Sequence, residues 1–214
     1  MDFIVNEIFH SIQGESLHAG RPCVFIRLTG CNLRCTYCDT AYAYHEGETM
    51  GLGDIARRVQ SFNCKLVEIT GGEPMYQPKT PELIKELINR QMTVLMETNG
   101  TLSLKDVDSR CIKIVDIKCP SSGESQKNKV ENIHYLNPHD QLKFVIRDKE
   151  DYMFSKKFIV DQGVPIDMDH VLFSPVSDVL PPHILAQWIL DDRLSVRLHL
   201  QLHKIIWPDI ERGV

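Results

Sequence analysis

Apolar runs of strand length alternate with helix-length segments along this 214-residue chain, and that alternation limits the possible folds more than any other feature of the sequence. Residues 23–28, 66–69, 93–96, 112–117, 142–146 and 171–173 read as strands. Between them, residues 51–62 place Leu52, Ile55, Val59 and Phe62 at helical spacing. Thr80 as N-cap and Pro81 in the first turn open a second helix through Leu83, Ile84, Leu87 and Ile88. Residues 149–162 and 181–190 read as two more helices. The stretch 119–138 is polar and rich in Ser, Asn and Lys, and reads as a loop. Strand–helix alternation predicts a parallel α/β sheet. A closed eight-unit barrel takes about 250 residues. This chain supplies six or seven units, some without a convincing helix. The expectation is therefore a partial, open TIM-like barrel of about six parallel strands, in one domain over 1–214.

In such a fold, chemistry belongs at the carboxyl ends of the strands. Four polar or glycine-rich segments follow successive strands there. They are the loop holding Cys31, Cys35 and Cys38, then Thr70-Gly71-Gly72-Glu73-Pro74, Glu97-Thr98-Asn99-Gly100-Thr101 and Lys118-Cys119-Pro120-Ser121-Ser122-Gly123. The cysteine spacing is C-x3-C-x2-C. Thiolates are natural ligands for iron–sulfur clusters and for zinc, and closed sites of either kind usually take four protein ligands. Three cysteines with no fourth ligand at zinc-finger spacing predict an open, reactive centre. The other four cysteines, Cys23, Cys64, Cys111 and Cys119, are scattered and read as small buried hydrophobes.

The bulk properties exclude several classes. A hydrophobic content of 43% with 25% charged residues is that of a globular chain. A net charge of -5 argues against nucleic-acid and anionic-membrane partners, which favour a basic face. The start of the chain lacks a basic n-region followed by an apolar run. No run approaches the roughly 20 apolar residues of a membrane span. A reduced, cytoplasmic protein is expected.

The C-x3-C-x2-C loop, with an aromatic residue before its last Cys, resembles the signature of the radical S-adenosylmethionine (SAM) family. Ser11-Ile12-Gln13-Gly14-Glu15, the Cys-Asp-Thr extension at 38–40, Thr-Gly-Gly-Glu-Pro, Glu-Thr-Asn-Gly-Thr and Asp-Ile-Lys-Cys-Pro-Ser-Ser-Gly occur in order. Together they resemble the 7-carboxy-7-deazaguanine synthases within that family, with Ser16 standing where the family pattern suggests Gly. The resemblance implies a lyase that converts 6-carboxy-5,6,7,8-tetrahydropterin to 7-carboxy-7-deazaguanine with loss of ammonia, in 7-deazapurine and queuosine biosynthesis. It implies a [4Fe–4S] cluster on Cys31, Cys35 and Cys38 whose fourth iron takes SAM, and Mg²⁺ on Thr40. SAM contacts are implied for Tyr37, Cys38, Asp39 and Gly72, with Ser121, Gln141, Leu142 and Lys143 toward its adenosine and ribose. Substrate contacts are implied for Ile12, Gln13, Gly14, Glu15, Arg27, Thr70, His203 and the carboxylate of Val214. Gln13 and Glu15 can read a heterocycle edge, and Arg27 can clamp a carboxylate. Arg27 and Thr40 are the expected catalytic pair. Partners implied are the small pterin, a reducing donor such as flavodoxin, and a second copy in a homodimer. Residues 197–203 alternate polar and apolar and predict a seventh, one-sided strand. Two readings compete: a glycyl-radical-enzyme activating protein and a zinc-binding interaction module.

Overall fold

The computed structural model describes residues 2–214. Nine strands form one sheet: β1 (Asp2–Ile12), β2 (Pro22–Leu28), β3 (Glu48–Gly51), β4 (Leu66–Gly71), β5 (Thr93–Thr98), β6 (Ile112–Ile117), β7 (Gln141–Ile146), β8 (Val171–Pro175) and β9 (Arg197–Leu198). Their order is β3-β1-β2-β4-β5-β6-β7-β8-β9. From β2 to β9 every neighbour is parallel, while β1 pairs antiparallel with both β2 and β3. The sheet is open, as expected.

The helices form because their apolar residues recur on one face. In α1 (Leu52–Gln60) these are Ile55, Ala56 and Val59. In α2 (Thr80–Asn89) they are Leu83, Ile84 and Leu87. In α3 (Lys149–Gln162), Tyr152 and Phe158 turn inward, and in α4 (Pro182–Asp191) Leu185 and Ile189 do. The side chain of Asp148 accepts from the backbone of Glu150 and Asp151 to start α3, and Gly163 in the left-handed region ends it. These faces cover one side of the sheet, where Val24, Ile26, Val67, Ile69, Val94, Met96, Leu142, Phe144 and Phe173 complete the main core. The opposite, inner face has only a small apolar layer, of Cys23, Phe25, Leu66, Leu95 and Ile114. Side chains alternate across a strand. The next inner-face positions toward the carboxyl ends are therefore Arg27, Glu68 and Thr70, Glu97, Asp116, and Lys143 above Gln141.

Four local expectations are corrected. The first strand is β1, which precedes residues 23–28; a register shift between Val5 and Glu7 changes its alternation midway and hides it from a period-two reading. Thr80 is the first residue of α2, and Lys79 holds the N-cap position. The Thr80 hydroxyl instead donates to the Pro74 carbonyl at 2.6 Å, fully buried. The stretch 119–138 holds three short 3-10 helices, at Pro120–Ser122, Ser125–Lys127 and Val130–Tyr135. Asn132 staples it to the loop after β5 by donating to the carbonyls of Gly100 and Leu102, both at 2.8 Å.

The seventh strand is only two residues long. The backbone N–H of His199 donates to the Phe173 carbonyl at 2.9 Å. The next bond of the parallel ladder would need a donor from Pro175, which has no N–H. The chain leaves the sheet and forms a short helix, α5 (Leu202–Ile206). No helix among the described residues is long and apolar enough to cross a membrane.

Candidate active site

The cysteine loop leaves the carboxyl end of β2 and is closed at its base, where the Gly30 N–H donates to the Ala43 carbonyl at 2.9 Å. Leu33 is buried beneath it. Cys31 and Cys35 are half-buried and Cys38 is exposed. Burial pushes the Cys31 and Cys35 thiols up, and the neighbouring cysteines push the same way. Thiolates on one such loop are the donors that iron takes, although among the described residues no three such groups are gathered at metal-holding distance. The loop after β6 clamps this one. The Thr36 N–H donates to Ser122 O at 3.1 Å, the Thr36 hydroxyl to Ser121 O at 2.7 Å, and the Arg34 N–H to the Glu124 carboxylate at 2.7 Å. Ser121 is fixed in turn by its N–H to Asp151 at 2.9 Å, and its hydroxyl also meets that carboxylate.

The loop after β4 packs directly against the cysteines. A Cβ on Gly72 would lie 2.3 Å from the Gly30 carbonyl oxygen and 2.8 Å from Cys31 Cβ, so only glycine fits. Glu73 is fully buried and accepts from the Met75 N–H, the Thr98 hydroxyl and the Asn99 N–H at 2.6–2.9 Å. It thereby joins the ends of β4 and β5. Asn99 reaches Asn32 at 3.1 Å, closing the circuit back to the cysteine loop.

Beside the cysteines, the inner face is polar. Lys143 lies between Glu15 and Glu97, 2.7 Å from the latter. Glu15 also accepts from Gln201 Nε2 at 2.7 Å. The two carboxylates differ although they share one ammonium. Burial raises both, but Lys143 together with Gln201 outweighs burial at Glu15 and holds it well below the usual carboxylate range; Glu97 stays raised. Lys118 pairs with Asp116 Oδ2 at 2.7 Å, close to Cys35. Asp116 Oδ1, Gln141 Nε2 and both ring nitrogens of His199 are buried without a protein partner. Burial pulls the His199 imidazole down to about 4, so it is neutral at physiological pH. Such orphaned polar atoms mark surfaces that receive a polar ligand or water.

The expected substrate residues gather here. Arg27 donates from Nε to Glu7 at 2.8 Å and lies 5.6 Å from the Tyr42 ring. It stands level with Thr70 across the β2–β4 pair. A Cβ on Gly14 would meet His203 Nδ1 at 2.3 Å, and the Gly14 carbonyl accepts from the Leu202 N–H at 2.9 Å. The chain end is drawn to the same wall, since Arg212 stacks 4.1 Å from Tyr42 and pairs with Glu46 at 2.8 Å; Val214 follows two residues later. Ser16 takes a left-handed conformation with φ 62, which explains why glycine suits that position, and its hydroxyl accepts from the His18 N–H at 3.1 Å. The Thr40 hydroxyl donates to Asp39 Oδ1 at 3.0 Å, and Lys204 holds Asp39 Oδ2 at 2.9 Å.

Some expected positions offer something different. Leu142 turns into the helix-side core and is 0% exposed, so its side chain cannot face a cofactor on the inner face. Gln141 opens β7 at the end away from the cysteines, and its Oε1 accepts from the Leu17 N–H at 2.8 Å. Lys143 is engaged by carboxylates. Gln13 has both ends of its amide committed, Nε2 to Glu68 and Oε1 to the Glu15 N–H at 3.0 Å. Glu68 and Lys204 carried no expectation in the sequence, and Lys118, His199 and Gln201 were read only as parts of polar segments without a site role. For Glu68 the signal was present: an acid in the middle of the apolar strand Leu66–Gly71.

Three thiols on the β2 loop, a glycine pair packed on them and a polar inner face are an arrangement shared with a known class. The Radical SAM superfamily model matches residues 25–116, which span the cysteine loop and the strands to Asp116. The solved structure of QueE from Escherichia coli shares the fold, with a TM-score of 0.78 over 94% of both chains at 20% identity. Over nearly its whole length the chain is similar to two curated 7-carboxy-7-deazaguanine synthases. The one from Koribacter versatilis is 42% identical, covering 98% of this chain and 99% of the relative. The one from Chlorobaculum tepidum is 45% identical, covering 98% and 96%. The chain belongs to the 7-carboxy-7-deazaguanine synthase family: it is a radical SAM lyase of 7-deazapurine biosynthesis, with a [4Fe–4S] cluster and SAM as cofactors.

Proposed function

We propose that this chain converts 6-carboxy-5,6,7,8-tetrahydropterin to 7-carboxy-7-deazaguanine with loss of ammonia, on the inner face beside the cysteine loop. The observation that carries this reading is the joint placement, along one wall, of the Cys31–Cys35–Cys38 loop, an arginine and a set of half-buried carboxylates. Cys31, Cys35 and Cys38 hold the cluster. Tyr37, Cys38, Asp39, Gly72 and Ser121 border SAM, and Asp116 Oδ1 is a free acceptor close by. When bound, cluster and SAM would supply radical chemistry able to activate a C–H bond of the substrate ring. Arg27, steadied through Nε by Glu7, receives the substrate carboxylate. Glu15, Glu97, Thr70, Ile12, Gly14 and His203 bound the heterocycle, and the Val214 carboxylate closes over it. Thr40 and Asp39 offer the few oxygen donors that Mg²⁺ takes from protein. Residues 202–214, set against Gly14, Tyr42 and Glu46, would keep water from the site.

The wider setting belongs to the same proposal. The enzyme acts in the cytoplasm on the free heterocycle, takes electrons from a small reductant such as flavodoxin, and pairs as a homodimer. Its product serves queuosine biosynthesis. Nucleic acid and membrane are not its partners.

Reconstituted protein incubated anaerobically with SAM, reductant, Mg²⁺ and carboxytetrahydropterin is expected to yield the deazaguanine. SAM cleavage with no such product would overturn the proposal. Arg27→Ala is expected to raise KM roughly 30-fold or more, the scale for truncating one partner of a desolvated charge pair. The cluster spectrum should be unchanged, because Arg27 does not touch the cysteine loop. Loss of the cluster would make Arg27 structural.

A further inference from the structure

Glu68 is 4% exposed and sits on the inner face within the small apolar layer, one step above Leu66 on its own strand. It faces Phe25 of β2 on one side and Leu95 of β5 on the other. Three acids, Glu15, Glu68 and Glu97, surround one cation. Lys143 contacts Glu15 and Glu97. The hydrogen bond to the Glu68 side chain comes instead from the amide of Gln13, itself 2% exposed. The backbone of Gln13 is also fixed, by its N–H to Arg21 O and its carbonyl from the Gly20 N–H, both at 2.8 Å. Glu68 therefore sets which way the Gln13 amide points. That orientation leaves Oε1 to hold the Glu15 N–H, next to Ser16 in its left-handed conformation.

We propose that Glu68 is a positioning residue for the substrate site, holding the turn from Gln13 to Ser16 from beneath so that Glu15 faces the heterocycle. The inference rests on the proposed function above. It also reassigns Gln13, whose side chain serves as the link and does not read the substrate edge.

The charge state of Glu68 follows from its surroundings. Glu15 faces it from the turn after β1, Glu97 from β5, Lys143 from β7, and the thiols of Cys23 and Cys111 from β2 and the approach to β6. Burial raises the carboxyl well above the ordinary range, Glu97 and Glu15 add to this, and the Gln13 amide and Lys143 offset only part of it. Both thiols are pushed up by burial and stay neutral. Burial and the two like charges therefore favour the neutral acid. As pH rises through its titration, an added negative charge forms beneath Glu15, Glu15 is repelled and substrate binding weakens.

The test compares holoenzyme carrying Glu68→Gln and Glu68→Ala with the unmodified protein, by steady-state kinetics across pH and by calorimetric binding of carboxytetrahydropterin to SAM-loaded enzyme without reductant. Glu68→Gln, which resembles the neutral acid, should keep KM and Kd within about twofold at neutral pH and lose the alkaline rise in KM. Glu68→Ala should raise both by about tenfold with kcat nearly unchanged, the scale of a buried group left without its partner. Equal impairment of the two variants, a persistent alkaline rise in Glu68→Gln, or unchanged binding in Glu68→Ala would each overturn the proposal. If Glu68→Ala does not fold, the pH profile of Glu68→Gln decides. Absence of the deazaguanine from unmodified enzyme would instead refute the functional reading; the binding comparison would still judge Glu68.

Discussion

Alanine at Cys31, Cys35 or Cys38 is expected to abolish iron binding and SAM cleavage together, while Cys64→Ala should retain both. The first three thiols converge on one loop at the carboxyl end of β2, and two of them are raised by burial and by their neighbours, a cost that metal ligation removes. Cys64 points elsewhere, its thiol donating to the Pro22 carbonyl at 3.4 Å. The fold should survive all four changes. The loop is held by the bonds of Thr36 and Arg34 to the loop after β6 and by the buried Leu33 side chain; only the Leu33 N–H engages a thiol, Cys31 Sγ at 3.4 Å, so each substitution should cost no more than about 1 kcal/mol in the metal-free protein. Iron and sulfide analysis after anaerobic purification, with circular dichroism as the control, checks this. One tightly bound zinc without a cluster, or full iron content in Cys35→Ala, would contradict the assignment.

What could be read from the residues alone follows from how local each signal is. The six parallel strands and four helices were legible because their apolar spacing is carried by neighbours in sequence: Ile55 and Val59 share a helix face whatever packs on it. The cysteine loop was legible for the same reason. The floor was not. Glu68, Glu97 and Lys143 lie on three different strands, and their pairing exists only once β4, β5, β6 and β7 are side by side. Residues 197–203 alternate well enough for a strand, but the length of β9 is set by Pro175 on its neighbour. Gln13 shows the limit of carrying a role over by motif. The motif does not reveal that its amide bonds Glu68 and the Glu15 N–H.

That floor also contains a residue whose loss should cost considerable stability. Lys143 is 4% exposed and is the ammonium against which Glu15 and Glu97 both rest. Lys143→Met preserves most of the side-chain volume but leaves two carboxylates facing one another with Glu68 nearby. Breaking a buried pair by removing one partner costs about 3–5 kcal/mol, and the partial exposure of the two acids places this case near 3. The pH dependence supplies the distinguishing sign. In the intact protein Lys143 holds Glu15 below its usual range. That contribution is present above the ordinary carboxylate pKa and fades as pH falls through the depressed value. Without the ammonium, burial and like charge raise both acids above their unfolded values. The variant is then least destabilised in acid and loses stability as pH rises through those raised values. Urea unfolding of the two proteins at a series of pH values from 4 to 8 should therefore give curves that diverge with increasing pH. Adding Glu97→Gln to Lys143→Met should recover part of the loss by removing one unpaired charge, with non-additivity measured by the cycle. Parallel curves, or a loss below about 1 kcal/mol at neutral pH, would show that solvent already neutralises these carboxylates and that the ammonium does not organise the floor of the site.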